Sequence, residues 1–579
     1  MVFRRKNFKS VLIIIAVSVI LVIPQLYSKS VIVGVDAIFH FNRFYDIAEQ
    51  FATKTFSPWI SIFGFGQTGR IVNALYGPGA AYLLGALLAW LKSWYLFEII
   101  TAFAVNTISG IAMFYFVKSF RVSREISTGL AITYMTSYWV QSWILSQQFS
   151  AWGAAVTPFL LYNIRYFVDE GKERINVPYL VVSMAVVAQL HLLTTVISTL
   201  VLLPFAIWGL VKSSNKLKYC IQGFVSIVLV VMLSANVWTS MISTFADNTL
   251  MKPMMNGNMN GSTVIPSLSA ASQTGYGIGL SIVFVLFMGL VFQFWGKLNT
   301  VNRLVAIGAL LLLLVASPLL PWNFIGRHVP ALTSLIQFPS RFSSAGFTLM
   351  LASFGVMISN VTPNMVRVRN VSIAAVAIIS VSLAFEKVNS ISQMWNSSQV
   401  LAQKNNVVLL EKNPDKLREV LLSDDLGKSL SVMYKGTSDY LPLHQELSAS
   451  ELKDFHPYWK TNRYYYEKNY DFSKSIKQGK LIITWNLASD AKVQVPVVAY
   501  HRTSLVFNGT TVIPEQVKTN DLGAIIVDGK KGENTLVVGY NPSVLQKVGL
   551  KLSILSWILL GGYLVFLLGG KVYINRNKR

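Results

Sequence analysis

The chain has 579 residues, 53% of them hydrophobic and only 13% charged, with a mean hydropathy of +0.49; soluble domains carry about 25% charged residues, so water is excluded as the main solvent. Lysine and arginine outnumber acids 50 to 26, an excess that points to nucleic acid on a soluble chain but collects in cytoplasmic loops of a membrane protein, so no nucleic-acid partner is expected. The single cysteine, Cys220, excludes an internal disulfide and any cysteine-based zinc spacing.

A hydrocarbon core about 30 Å thick takes about 20 apolar residues in a helix. The first such run, 10–27, follows Arg4, Arg5, Lys6 and Lys9 as a signal peptide would. It is long and no small-residue cleavage site follows, so it is expected to stay as the first span. Further spans are expected near 94–117, 126–145, 150–168, 177–193, 194–211, 220–240, 275–295, 304–320, 343–360, 371–386 and 548–570, about twelve in all.

Basic loops alternate along this series. Lys118/Arg121/Arg124, Lys172/Arg174, Lys212/Lys216/Lys218, Lys297/Arg303, Arg367/Arg369 and Lys571/Arg576/Lys578/Arg579 fall on the side of the N-terminus. The positive-inside rule then puts both termini in the cytoplasm and the protein in the cell membrane. Segments 28–93, 241–274, 321–342 and 387–547 lie outside. The apolar piece 74–91 reads as a short helix lying in the outer interface or re-entering, because counting it as a span would move the Lys118 loop outside.

Segment 387–547 changes character. Its start, 388–430, reads as helical, and later runs such as KLIITWNL, AKVQVPVVAY and TLVVGY alternate like strands between Asn-Gly, Asp-Gly and Lys-Gly-Glu-Asn turns. The expected fold is a polytopic α-helical membrane domain over 1–386, an extracytoplasmic α+β domain over 387–547 ending in a β-sandwich, and a C-terminal anchor helix with a basic cytoplasmic tail over 548–579.

Chemistry is sparse. GFGQTG, from Gly64 to Gly69, matches GxGxxG, but no buried strand precedes it, so a glycine-rich turn is the expected reading. No Walker, HExxH or GxSxG sequence is present. The segment GVDAIFHFNRFYDIAEQF has helical periodicity. At 100° per residue, Asp36, His40 and Arg43 fall at 0°, about 40° and about −20°, on one polar face. An acid, an imidazole and a guanidinium together make a carboxylate base beside two phosphate-binding groups. The alternative is that Asp36 caps the helix while His40 and Arg43 face solvent or headgroups.

Gly34-Val35-Asp36, Phe39-His40, Arg43 and Leu75-Tyr76-Gly77-Pro78 resemble the first outer loop of bacterial multi-span proteins known as YfhO-like or 6-pyruvoyl-tetrahydropterin-synthase-related, which are similar to GT-C glycosyltransferases. Leu190-His191-Leu192-Leu193, Ile336-Gln337-Phe338-Pro339-Ser340-Arg341-Phe342 and Tyr440-Leu441-Pro442 agree, and the resemblance spans most of the chain. It implies a GT-C-like membrane domain that takes a polyprenyl-phosphate sugar from the lipid of the outer leaflet and transfers the sugar to an envelope polymer. By the same resemblance Asp36 acts as base or positions a divalent ion. Arg341 and Arg43, helped by His40, neutralise the leaving phosphate, and His191 and Gln337 hydrogen-bond sugar or phosphate.

Each residue has a plainer alternative: Arg341 anchoring a helix to headgroups, His191 satisfied at the interface, Gln337 in loop packing. Trp139, Trp143, Tyr134 and Tyr138 read as an aromatic belt. One departure from the family pattern matters. Ser146-Gln147-Gln148-Phe149-Ser150-Ala151-Trp152 carries no second acid, so the expectation is metal-independent transfer without a cofactor, or an inactive relative. Two other classes stay open: a non-catalytic lipid-glycan binding or scaffold protein, and a transporter or flippase. The last calls for ionisable residues near span midpoints, whereas Glu98 and Glu386 lie near span ends.

Overall fold

The computed structural model describes residues 7–168, 175–361, 365–403, 406–444, 456–467, 469–513 and 516–576. Of the basic positions used for orientation, Arg4, Arg5, Lys6, Lys172, Arg174, Lys578 and Arg579 lie outside the described residues.

Among the described residues, eight helices are long and apolar enough to cross a membrane: Phe8–Ser28, Trp94–Ser119, Leu192–Lys212, Lys216–Leu233, Ile278–Lys297, Pro339–Asn360, Val366–Met394 and Val544–Phe566. Pro78–Leu91, Val177–Leu190 and Thr300–Ala316 are shorter apolar helices. This is the architecture of a polytopic helical membrane protein. Short polar side chains fix several helix starts, with Ser93 accepting from the Leu96 amide, Asn215 from Lys218 and Asn299 from Asn302. The first helix packs on Trp94–Ser119 and Val366–Met394. Gly110 permits the closest approach, since a Cβ there would lie 2.6 Å from Ile14 Cγ2.

Several expected spans are interrupted. Segment 126–145 forms two helices, Arg124–Met135 and Tyr138–Ser146, and 150–168 forms Ser150–Leu161 and Asn163–Val168. Segment 177–193 ends at Leu190, and 220–240 divides at Ser234. At each break a side chain competes for the backbone. Thr136 Oγ1 donates to the Thr133 carbonyl, Asn163 Nδ2 to Leu160 and Ser234 Oγ to Val230, and His191 Nδ1 accepts from the Thr194 amide.

Within segment 28–93, helix Ala37–Thr53 packs on helix Pro78–Leu91. Leu83 and Trp90 of the latter remain exposed.

The last domain contains two antiparallel sheets. One has the order Ser473–Lys477, Lys480–Leu487, Gly532–Tyr540, Thr503–Phe507, Thr510–Val512; the other runs Ala491–Val498, Ala524–Gly529, Lys518–Thr519. Leu481, Ile483, Leu505, Leu536 and Val538 of the first sheet share a core with Val495, Val497 and Ile525 of the second, which is a β-sandwich. Asn508-Gly509 closes one hairpin with φ of 47° and 82°, the left-handed pair that two-residue hairpins require.

Several seams join this domain to the membrane part, two of them at residues 249–251 and 64–69. Residues 249–251 pair with 440–443 through Met251 N to Leu441 O (2.7 Å) and Leu443 N to Thr249 O (2.7 Å). The Gly64–Gly69 turn is the other, its Gly66 and Gln67 carbonyls accepting from Lys474 Nζ at 2.8 and 3.1 Å.

Candidate functional site

Residues 34–36 lie against the carboxylate-free stretch singled out above. Gly34 N donates to Gln147 Oε1 at 2.9 Å and Asp36 N to the Ser146 carbonyl at 3.1 Å. Asp36 then occupies the N-cap position of Ala37–Thr53, yet its carboxylate accepts no hydrogen bond from the helix amides. Its electrostatic neighbours are instead Lys435 and Arg341, from two distant parts of the chain. Burial raises its pKa above the usual carboxylate value, and the two cations oppose that rise.

One helical turn on, His40 and Arg43 point into the protein. Arg43 Nε donates to Asn73 Oδ1 (3.1 Å), Nη1 contacts His40 Nδ1 (3.1 Å) and Nη2 donates to the Tyr76 carbonyl. The guanidinium also lies 4.6 Å from the Tyr76 ring centroid and 4.9 Å from that of Phe149. Burial pushes its pKa down to about 10. The contact with Arg43 requires His40 to present a lone pair at Nδ1. Burial, then the Arg43 charge, hold the imidazole pKa well below its usual value, so His40 is neutral. This pair therefore organises the site and leaves little to offer a phosphate.

His191 and Arg341 arrive from the membrane helices. His191 Nδ1 caps helix Leu192–Lys212, accepting from the Thr194 amide at 3.3 Å, and its ring meets Tyr76 edge-on at 6.1 Å. Arg341 donates from Nη1 to the Ile336 carbonyl (3.0 Å) and stacks 4.8 Å from the Phe338 ring, while its buried Nε has no partner. Both residues line one cleft with Trp139, Ser150, Thr194 and Ser344. The cleft is narrow, with room for little beyond water.

Gln337 stands apart, donating from Nε2 to the Met254 carbonyl at 2.7 Å while its own carbonyl accepts from Asn256. The loop 251–263, not the cluster, holds it.

The 387–547 domain adds charges that sequence reasoning missed. Lys435 Nζ donates to the Val35 carbonyl at 2.7 Å, beside Asp36. Asp439, pushed up to about 6 by burial, interacts with Arg70, Asp36 and Lys435. Asp439 immediately precedes Tyr440-Leu441-Pro442, so the signal was adjacent to a stretch already noted. Among the described residues, no group of three or more His, Cys, Asp or Glu side chains is placed to hold a metal ion.

One further expectation changes and one holds. Trp139 and Trp143 are buried, their indole N–H groups donating to the Ser340 carbonyl (2.8 Å) and Thr101 Oγ1 (2.9 Å). Helix packing, not a headgroup belt, satisfies them. The Gly64–Gly69 segment is a turn held by Asp46, which accepts from the Phe63 and Gly64 amides at 2.9 and 3.1 Å, and by Asn42, which accepts from Phe65 at 2.6 Å.

No protein-family model matches this chain, and no curated protein matches it. The likeness drawn above to YfhO-like and GT-C proteins therefore rests on the quoted residues alone.

Proposed function

We propose that this is a cell-membrane protein of about twelve spans, both termini cytoplasmic and 387–547 outside, that moves a sugar from a polyprenyl-phosphate donor to an envelope glycan or polymer, in the manner of GT-C glycosyltransferases. The observation that carries the reading is the approach of Asp36, from the first outer loop, to within electrostatic range of Arg341, from a membrane helix some three hundred residues later. Nothing local forces that approach, and an acid beside a cation with unpartnered donors is what transfer from a phosphate needs.

In this reading Asp36 takes the proton of the acceptor hydroxyl as its oxygen bonds to the anomeric carbon. The bond from that carbon to the phosphate oxygen breaks, and polyprenyl phosphate leaves with the electron pair, inverting the centre. Arg341 stabilises the departing phosphate, His191 lines its path, and Arg43 with His40 holds the wall through Tyr76. No step is assigned to a metal. The cleft must widen to admit a sugar.

That narrowness favours a second reading, a non-catalytic protein that binds a lipid-linked glycan. A test common to both is binding of undecaprenyl phosphate to the full-length protein in nanodiscs. Arg341→Gln, which removes one charge-assisted contact, is expected to weaken binding about tenfold or more. Unchanged affinity in that variant would remove Arg341 from the phosphate site.

A further inference from the structure

Transfer to Asp36 needs a group that holds the acceptor hydroxyl in place, and the 146–152 stretch against Gly34–Asp36 has no carboxylate. The outer domain brings one. Its 435–441 segment folds as a tight turn over the first outer loop, with Thr437 N donating to Lys435 O (3.0 Å) and Leu441 N to Ser438 O (3.1 Å). Lys435 anchors one end of the turn on the Val35 carbonyl. Arg70, 1% exposed, anchors the other, donating to Thr437 Oγ1 at 3.2 Å and to the Asp439 main-chain carbonyl at 2.8 Å.

These anchors hold the backbone of Asp439 and give no hydrogen bond to Oδ1 of its carboxylate. Oδ1 is buried without a hydrogen-bond partner, a desolvated acceptor that packing alone does not call for. The next residue, Tyr440, adopts φ of 64°, a left-handed conformation unfavourable for a bulky side chain. Pairing with Met251 on both sides holds it there. An orphaned acid and a strained neighbour, fixed beside the Asp36 loop, mark a place where the fold gives up stability for a ligand.

We propose that Asp439 is the second carboxylate of this site, supplied by the outer domain, and that Asp36, Asp439 and Lys435 form the subsite for a hydroxyl-bearing acceptor. The proposal rests on the transfer reading. Asp439 is ionised at neutral pH and accepts a hydrogen bond from an acceptor hydroxyl. Lys435, with ammonium protons beyond the one given to Val35, donates to a neighbouring oxygen. A carboxylate and an ammonium side by side select a polyhydroxylated acceptor over a simple alcohol. Asp36 remains the proton acceptor; Asp439 orients.

The test pairs two readouts in full-length protein: undecaprenyl phosphate binding in nanodiscs, and the envelope-glycan profile of a deletion strain carrying each variant. Asp439→Asn should leave polyprenyl-phosphate binding unchanged and thermal stability no lower than that of the wild type, while lowering the sugar modification about tenfold to a hundredfold, the loss of one hydrogen bond to a charged group. Lys435→Met should lower it in the same direction. Transfer by the wild type should also fall as pH drops through about 6, where Asp439 protonates, and Asp439→Asn should leave only the low-pH loss that belongs to Asp36. Wild-type modification by Asp439→Asn overturns the proposal while leaving the transfer reading intact. Loss of polyprenyl-phosphate binding in that variant also overturns it, by placing Asp439 on the donor side or in folding. If the wild type binds no polyprenyl phosphate and its deletion alters no glycan, the transfer reading fails and the acceptor subsite fails with it.

Discussion

Replacing Gly34 by alanine tests whether the Asp36 loop is seated where the structure puts it. An added Cβ would lie 2.3 Å from Ser146 Cα, 2.8 Å from Ser146 C and 2.7 Å from Gln147 Oε1. Favourable carbon contacts begin at about 3.5 Å, so relief needs a backbone shift of roughly 1 Å. Two of the three atoms are main chain, and Gln147 is already left-handed at φ 53°, so the neighbour cannot simply rotate away. Overpacking of this kind costs about 1–3 kcal/mol. Losing the Gly34–Gln147 hydrogen bond adds about 1 kcal/mol, for roughly 2–4 kcal/mol together. The assay is thermal unfolding of the full-length protein in detergent, with Gly289→Ala as control because a Cβ there meets nothing within 4 Å. Gly34→Ala should melt well below the wild type and the control should not. Equal melting of all three would show that 34–36 and 146–147 do not touch, and the site built on their contact would have to be abandoned.

A pH dependence follows from Asp46, which burial pushes up to about 6 against the pull of the Phe63 and Gly64 amides. The folded state holds its proton more tightly than the unfolded chain at about 3.8, so its contribution is complete below that value and fades as pH rises through about 6. Asp46→Asn should flatten that part of the stability curve, and an unchanged slope would assign it elsewhere. For topology, reporters fused after Asn370 and after Gly509 are expected in opposite compartments, inside and outside; agreement between them would break the span series.

Long apolar runs were legible because a span needs only length and composition, and the sandwich because its strands alternate, as Leu481, Ile483 and Trp485 do on the buried face of Lys480–Leu487. Asn508-Gly509 announced its own hairpin. The breaks at Thr136 and Ser234 were not legible, since each is a polar side chain within a continuing apolar run, whereas the break at His191 falls within three residues of the expected boundary between 177–193 and 194–211. Helix Val366–Met394 likewise continues past the expected boundary at 386, because its polar last turns pack outside the apolar window. Within the site, helical periodicity placed Asp36, His40 and Arg43 on one face, but could not tell that Arg43 spends its donors on Asn73, His40 and Tyr76. Lys435 and Asp439 were hidden for a different reason. Their partners Val35 and Asp36 lie four hundred residues away, and only the tertiary fold brings them together.

The central claim is that Asp36 acts as base at an outer-face transfer site, and Asp36→Asn tests it most directly because the change is nearly isosteric and removes only charge and basicity. The measurement is the envelope-glycan profile of the deletion strain carrying either the wild type or Asp36→Asn at matched expression. The deletion should lose one sugar modification, the wild type should restore it, and Asp36→Asn should lower it by about a hundredfold or more. Full restoration by Asp36→Asn would take Asp36 out of the mechanism and leave a protein that binds lipid-linked glycan without transferring it.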